Sequence, residues 1–218
     1  MSHSSPVQRR LALAVVGLVV MAPSALFAQL RTEITPFVAS YYGMTHIAKG
    51  KGLFNAGVPF TVDQNNAFAI GGRVTIPVGA RLALEGEFAY AMSGVSATED
   101  TLFGPGIDGG LSQSGSIIFG SVRAVFSPRR SNLFMLAGPA IIKRGGDAWK
   151  GVNSGDITDF GGVVGFGVRA NVTPRFRLNL TAEAYLYSFD AFPNQGTDPE
   201  FQADVIVGLG IPISFGGH

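Results

Sequence analysis

The sequence has no cysteine, which excludes disulfide staples, thiolate metal sites and cysteine nucleophiles. Charge is scarce: 14% of the 218 residues are Asp, Glu, Lys or Arg, against about 25% in soluble domains. What charge there is balances, with 16 basic and 15 acidic residues. No broad basic face is left for phosphates, so nucleic acid is excluded as a partner. Histidines number 3 and no two have metal-ligand spacing, so neither a metal nor any other cofactor is implied. Beyond the N-terminal region, no run of 18 apolar residues marks a spanning helix. Yet 46% of the chain is hydrophobic, too much for disorder. Such a chain has a large dry core or touches lipid. If it crosses a membrane it must do so with strands closed into a barrel, because lipid leaves no partner for an open sheet edge.

The N-terminus reads as a secretory signal. Arg9 and Arg10 form a positive region, Leu11 to Met21 is apolar, Pro23 breaks the run and Ala28 offers a small residue for cleavage. The apolar stretch is shorter than the roughly 20 residues of a spanning helix. The expected division is a signal peptide over 1–28 and a single domain over 29–218.

Period-two alternation dominates the remainder. From Arg175 to Tyr187, Phe176, Leu178, Leu180, Ala182, Ala184 and Leu186 share one face, while Arg177, Asn179, Thr181, Glu183 and Tyr185 share the other. The same alternation marks Phe68–Ile76, Leu82–Tyr90, Ile118–Phe126, Phe160–Val172 and Phe201–Phe215, and less cleanly Ile34–Tyr42 and Leu133–Lys143. Eight such strands are long enough to cross a bilayer when tilted.

Their connections alternate in length. Pro77–Ala80, Ser127–Asn132 and Thr173–Pro174 read as short turns. Gly43–Asn66, Ala91–Gly115, Arg144–Thr158 and Asp190–Asp198 read as long polar loops rich in Gly, Ser, Asp and Asn. Aromatic residues mark both strand ends on the apolar face: Phe126, Phe176 and Phe215 by the short turns, Phe68, Tyr90, Phe160 and Phe201 by the long loops. On a barrel these make two interfacial girdles. The predicted fold is therefore all-β: an eight-stranded antiparallel up-and-down transmembrane barrel following a signal peptide. A soluble barrel would need a polar exterior, which these apolar faces argue against.

The C-terminal Gly210, Ile213 and Phe215 resemble the terminal signal that outer-membrane barrels present to the barrel-assembly machinery. With the opening Ile34-Thr-Pro-Phe-Val-Ala-Ser-Tyr-Tyr-Gly43, the span from Gln29 to Phe215 resembles the OmpA-like outer-membrane β-barrel family. That resemblance implies residence in the outer membrane of a Gram-negative-type bacterium. The partners it implies are outer-membrane lipid, lipopolysaccharide and, during biogenesis, the assembly machinery. No peptidoglycan-binding segment is seen after the barrel, and closed barrels lack edges that demand pairing, so a monomer is expected.

With the apolar face toward lipid, the lumen receives Arg73, Glu85, Glu87, Arg123, Arg169, Arg177, Glu183 and Asp204. Four cations and four anions suit a packed interior, since eight strands leave room for little beyond side chains. Arg73 and Glu85 lie symmetrically about Gly79, which predicts that the hairpin sets them opposite each other. The functional expectation is a non-enzymatic envelope protein with a structural or surface-interaction role, extracellular ligands being met by the long loops. Two alternatives stand beside it. A narrow small-solute channel would need the ion pairs to open. A lipid A-modifying enzyme would need a base beside a nucleophile, with His46 and the loop residues Glu99, Asp100 and Thr101 as its material. Asp147, Asp156 and Asp159 lie among glycines but lack EF-hand spacing, and Gly104-Pro-Gly106 lacks the lysine of a phosphate loop.

Overall fold

The computed structural model describes residues 32–51, 59–101, 104–129, 131–147, 157–173, 176–189 and 200–215. The proposed signal peptide, most of Arg144–Thr158 including Asp156, and all of Asp190–Asp198 lie outside them. In chain order the strands are β1 (Thr32–Gly43), β2 (His46–Lys51), β3 (Pro59–Gln64), β4 (Ala67–Pro77), β5 (Leu82–Ala91), β6 (Val95–Thr101) and β7 (Gly104–Gln113). They continue with β8 (Ser116–Phe126), β9 (Leu133–Gly145), β10 (Ile157–Thr173), β11 (Phe176–Phe189), β12 (Glu200–Gly210) and β13 (Ile213–Phe215). All pairings are antiparallel, and the principal sheet runs β1-β4-β5-β8-β9-β10-β11-β12 before β12 pairs back onto β1. β13 extends β12 along the same seam. The result is a closed eight-stranded up-and-down barrel.

Alternation along each strand sorts the side chains. Ile70, Val74, Phe88, Val122, Phe166 and Leu180 stand on the outside, each about half exposed or more, while Arg123, Glu183, Phe119 and Tyr185 are fully buried within. An apolar exterior around the whole circumference is unfavourable in water and favourable in hydrocarbon. The seven end-of-strand aromatics all point outward, Phe160 and Phe201 most openly at 74% and 65% exposure. No described helix is long and apolar enough to cross a membrane; the strands do the crossing.

Three features of the sequence reading need correction. Gly43–Asn66 and Ala91–Gly115 are not simply polar loops. They carry β2, β3, β6 and β7, which pair into a separate four-stranded sheet ordered β2-β3-β6-β7. Short alternating runs such as Pro59-Phe-Thr-Val-Asp-Gln64 are too brief to declare a strand alone, but the β3–β6 pairing supports both hairpins. The strand read as Leu133–Lys143 extends to Gly145, which brings Arg144 out of the expected loop and into the barrel. Phe201–Phe215 is not one strand: Pro212 has no N–H to give the ladder, and pairing resumes only at Ile213.

The second sheet reverses the sidedness of the barrel. In β1, β4 and β5 apolar residues face out. Beyond them Ile47 turns inward, at 4% exposure, and Val62 and Val95 pack against the same interior core. The partially exposed His46 and Asp63 pair on the opposite side. The reversal falls where β3 meets β4 and β5 meets β6. There Ser93 Oγ donates to the Asn65 carbonyl, Ser96 Oγ donates to Asn65 Oδ1 at 2.8 Å, and Gln64 Nε2 donates to Ser93 Oγ at 2.8 Å. This knot joins the outer hairpins to the wall. Polar-out, apolar-in packing is what a sheet in water requires, so the knot marks the rim of the lipid belt.

The reversal predicts position-dependent tolerance of charge. Val122→Arg, in the middle of the outer face of β8, is expected to destabilise the protein by about 2–4 kcal/mol in lipid vesicles. His46→Arg is expected to change stability by less than about 0.5 kcal/mol. Urea titrations in vesicles check both, and equal effects would contradict the placement of the rim.

Candidate functional site: the barrel interior

Strand register lays the interior out in rows. Thr35, Arg73, Glu87 and Ser121 stand side by side across β1, β4, β5 and β8, and Glu33, Thr75, Glu85 and Arg123 form the next row. Arg73 therefore faces Glu87, and Glu85 faces Thr75, rather than Arg73 facing Glu85 as expected. The turn is longer than a Gly79-centred hairpin: Val78 N and Gly79 N both donate to the Leu82 carbonyl at 3.0 Å. This takes Arg81 into the turn and moves the centre to Ala80.

Five ionic side chains meet at the middle of the barrel. Arg123 donates from Nε and Nη2 to Glu85 Oε1 at 2.9 and 2.8 Å, from Nη2 to Glu87 Oε2 at 2.6 Å, and from Nη1 to Glu183 Oε2 at 2.8 Å. Arg73 donates from Nε to Glu87 Oε2 at 2.5 Å and from Nη2 to Glu183 Oε1 at 2.9 Å and Thr181 Oγ1 at 3.0 Å. Thr75 Oγ1 donates to Glu85 Oε2 at 2.5 Å, and the Tyr185 hydroxyl donates to Glu87 Oε1. All six carboxylate oxygens thus accept a hydrogen bond. The planar fork of arginine suits this multiple bridging in a way an ammonium would not. The Arg73 guanidinium also lies 4.2 Å over the Phe37 ring, which occupies the space above Gly71, where a Cβ would sit 2.4 Å from Phe37 Cζ.

A second tier sits toward the outer sheet. Arg144 Nη1 donates to Asp159 Oδ2 at 3.0 Å, and its Nη2 donates to the Tyr187 hydroxyl. Asp204 collects the Tyr41 hydroxyl at 2.9 Å, the Tyr187 hydroxyl at 2.6 Å and Arg144 Nη2 at 3.4 Å. Between the tiers Tyr41, Phe119 and Tyr185 form a tilted aromatic stack, with centroids 5.7 and 4.7 Å apart. The two tiers and this stack obstruct the axis.

Of the eight residues assigned to the lumen, Arg73, Glu85, Glu87, Arg123 and Glu183 are brought together in one cluster, and Asp204 lies in the other. Arg169 and Arg177 stand apart, at the short-turn rim. Arg169 Nη1 donates to Ser127 Oγ at 3.0 Å and stacks 4.8 Å from the Phe134 ring centroid. Arg177 Nη2 donates to Glu33 Oε2 at 2.8 Å, with both side chains partly exposed. Sequence reasoning missed Arg144 and Asp159, which sit at strand ends drawn too short. It also gave no role to Tyr41 and Tyr187, although Tyr187 continues the inner row of Glu183 and Tyr185. Gly210 is buried at the end of β12, whereas Ile213 and Phe215 face outward on β13, opposite Ile34 and Thr32.

His46 lies on β2, its Nδ1 against Asp63 Oδ1. Its carbonyl accepts from Gln202 Nε2 at 2.9 Å, and among the described residues no hydroxyl is hydrogen-bonded to its ring. Glu99 and Thr101 lie on β6, opposite Ile107 and Gly104 of β7. Asp159, one of the three aspartates lying among glycines, pairs with Arg144. Among the described residues no group of three His, Asp or Glu side chains is arranged to hold a metal.

Neither a family model nor a curated protein matches the chain; solved structures do. The outer-membrane protein AlkL, determined in lipid bilayers, aligns over 100% of this chain and 98% of its own, at 14% identity and a TM-score of 0.54. OprG from Pseudomonas aeruginosa aligns over 87% of this chain and 98% of its own, at 12% identity and a TM-score of 0.49. Ail of Yersinia pestis aligns over 85% and 99%, at 15% identity and a TM-score of 0.42. At these identities the likeness is one of fold. The protein has the fold of the eight-stranded outer-membrane barrels.

The central cluster makes a sharp prediction. Arg123→Met is expected to cost about 3–5 kcal/mol, because it strands the Glu85 carboxylate and leaves Glu87 and Glu183 to share Arg73 in a closed interior. Arg123→Lys is expected to recover little of this, since one ammonium cannot reach all three. Urea unfolding in vesicles measures both; a methionine variant as stable as the parent would show that the cluster holds nothing together.

Proposed function

We propose that the protein is a non-enzymatic outer-membrane barrel with an obstructed lumen, whose working surface is the four-stranded sheet carried above the lipid. The observation that carries this reading is the reversal of sidedness between barrel and outer sheet. A wall packed for lipid continues into strands packed for water, held by the Gln64–Asn65–Ser93 knot. Loops with no task have no need of such an extension, and loops positioned by a rigid scaffold are where binding residues concentrate.

In this reading the apolar belt contacts outer-membrane lipid and lipopolysaccharide. Gly210, Ile213 and Phe215 present the closing strand to the assembly machinery, and the β2-β3-β6-β7 sheet meets ligands outside the cell. The obstructed lumen argues against the small-solute channel: a solute would have to part both the Arg123 cluster and the Tyr41–Phe119–Tyr185 stack. The His46–Asp63 pair, with no hydroxyl on the ring among the described residues, argues against the lipid-modifying enzyme.

Two measurements test the proposal. Reconstituted into planar bilayers, the parent protein is expected to give no steady conductance; resolved channel openings would favour the channel. Cells displaying the full chain are expected to adhere to immobilised glycans or proteins. A chain in which 46–64 and 95–113 are replaced by tight turns should lose that adhesion while keeping the heat-modifiable gel mobility of a folded barrel. Equal adhesion by the two would remove the surface role.

A further inference from the structure

The central cluster does not balance. Arg73 and Arg123 supply two positive charges; Glu85, Glu87 and Glu183 supply three negative ones, all five side chains being buried or nearly so. Among the described residues these three carboxylates have no other ion-pair partner within 4.0 Å. An uncompensated charge in a closed interior is strongly unfavourable.

A second observation points to the same place. Thr35 Oγ1 and Ser121 Oγ have no hydrogen-bond partner among the described residues, although their residues are only 1% and 7% exposed. Both stand on the inner face in the row of the cluster, Thr35 beside Arg73 and Ser121 beside Glu87. Buried hydroxyls without partners are rare unless something small and polar occupies the space beside them.

We propose that the Arg73–Glu87–Arg123–Glu183–Glu85 cluster is a binding site for one further unit of positive charge, taken up as a proton or as a small monovalent cation. Its chemistry can be located further. Both oxygens of Glu183 accept from guanidinium groups, which can only donate, so a proton there would cost it a hydrogen bond. Glu87 Oε1 and Glu85 Oε2 face the hydroxyls of Tyr185 and Thr75. A hydroxyl can turn from donor to acceptor. Glu85 or Glu87 can therefore carry a proton without losing a hydrogen bond, whereas Glu183 cannot. An alkali cation would instead draw on the free hydroxyl oxygens of Thr35 or Ser121.

The groups facing the site are Arg73 from β4, Glu85 and Glu87 from β5, Arg123 from β8, and Glu183 and Tyr185 from β11. Tyr41 on β1 stands in the aromatic stack, and beyond it lie Arg144 on β9, Asp159 on β10, Tyr187 on β11 and Asp204 on β12. Glu33 on β1 and Arg177 on β11 pair with each other toward the short-turn rim.

The experiment compares thermal unfolding midpoints, read as loss of the heat-modifiable band, for the full chain in phosphatidylcholine vesicles. The conditions are sodium, potassium or N-methylglucamine chloride at one ionic strength, each from mildly acidic to mildly alkaline pH. The variants are Glu85→Gln, Glu87→Gln and Glu183→Gln. If the extra charge is an alkali cation, the parent midpoint is higher in sodium or potassium than in N-methylglucamine. If it is a proton, the midpoint falls as pH rises, whatever the salt. In either case Glu87→Gln or Glu85→Gln is expected to fold with a midpoint at or above the parent's and to lose the dependence. Glu183→Gln is expected to lower the midpoint. Equal destabilisation by all three substitutions, or a parent midpoint indifferent to both cation and pH, would overturn the proposal, because each glutamate would then be an ordinary fully charged ion-pair partner.

Discussion

Closure of the sheet between β1 and β12 is the constraint on which the rest of the structure depends. In hydrocarbon an open strand edge exposes a row of backbone groups that nothing can satisfy, so a chain of this composition is stable in lipid only as a complete ring. The seam is regular from Phe37 opposite Gly210 to Gly43 opposite Asp204. It is disturbed near the short-turn end, where Pro36 and Pro212 each withhold an N–H. There Ile211 N still donates to the Pro36 carbonyl at 3.0 Å, and β13 restores pairing with β1. Closure is thus kept across a local fault.

Closing the ring fixes the inside. Eight strands leave a lumen that side chains can fill, and alternation sends every second residue into it. Bulk is fitted by pairing large residues with glycine: Phe37 lies over Gly71, and the Phe134 ring occupies the space above Gly167, where a Cβ would come within 2.3 Å of Cζ. The interior ions occur as clusters, and the central one ties β4, β5 and β8 to β11 across the axis with every carboxylate oxygen accepting a hydrogen bond. Apolar filling would hold the wall as well. What the ions add is registry: shifting β4 against β5 by two residues would part Arg73 from Glu87, setting it opposite Ala89 in one direction and Glu85, already held by Arg123, in the other.

The barrel strands were legible because their signal is repeated and unambiguous. A strand with lipid on one side and a lumen on the other must alternate over its whole length, and Phe176–Tyr187 shows this without exception. The inward residues of those strands were legible for the same reason. Three things were not. The ends of β9 and β10 were hidden because Arg144 and Asp159 look like loop residues until each is seen to neutralise the other. The register of the β4–β5 hairpin was misread by one pair because turn length depends on backbone hydrogen bonds that composition does not reveal. The outer sheet was hidden because its strands are short and reverse their sidedness at Asn65 and Ser93, so that a reader tracking one apolar face loses it there.

That reversal separates the chain into parts under different physical rules. In the barrel, substitution on the outer face is limited by lipid and on the inner face by packing and charge, so neither face is free to diversify. In the outer sheet the apolar side is already occupied by Ile47, Val62 and Val95 packing on the core, and the side bearing His46 and Asp63 meets water. Only this side can change its chemistry without disturbing closure, lumen or lipid contact. A barrel that must recognise something outside the cell is thereby confined to evolving recognition on the solvent-facing side and rims of β2, β3, β6 and β7, while the wall beneath them is held by constraints indifferent to what is bound.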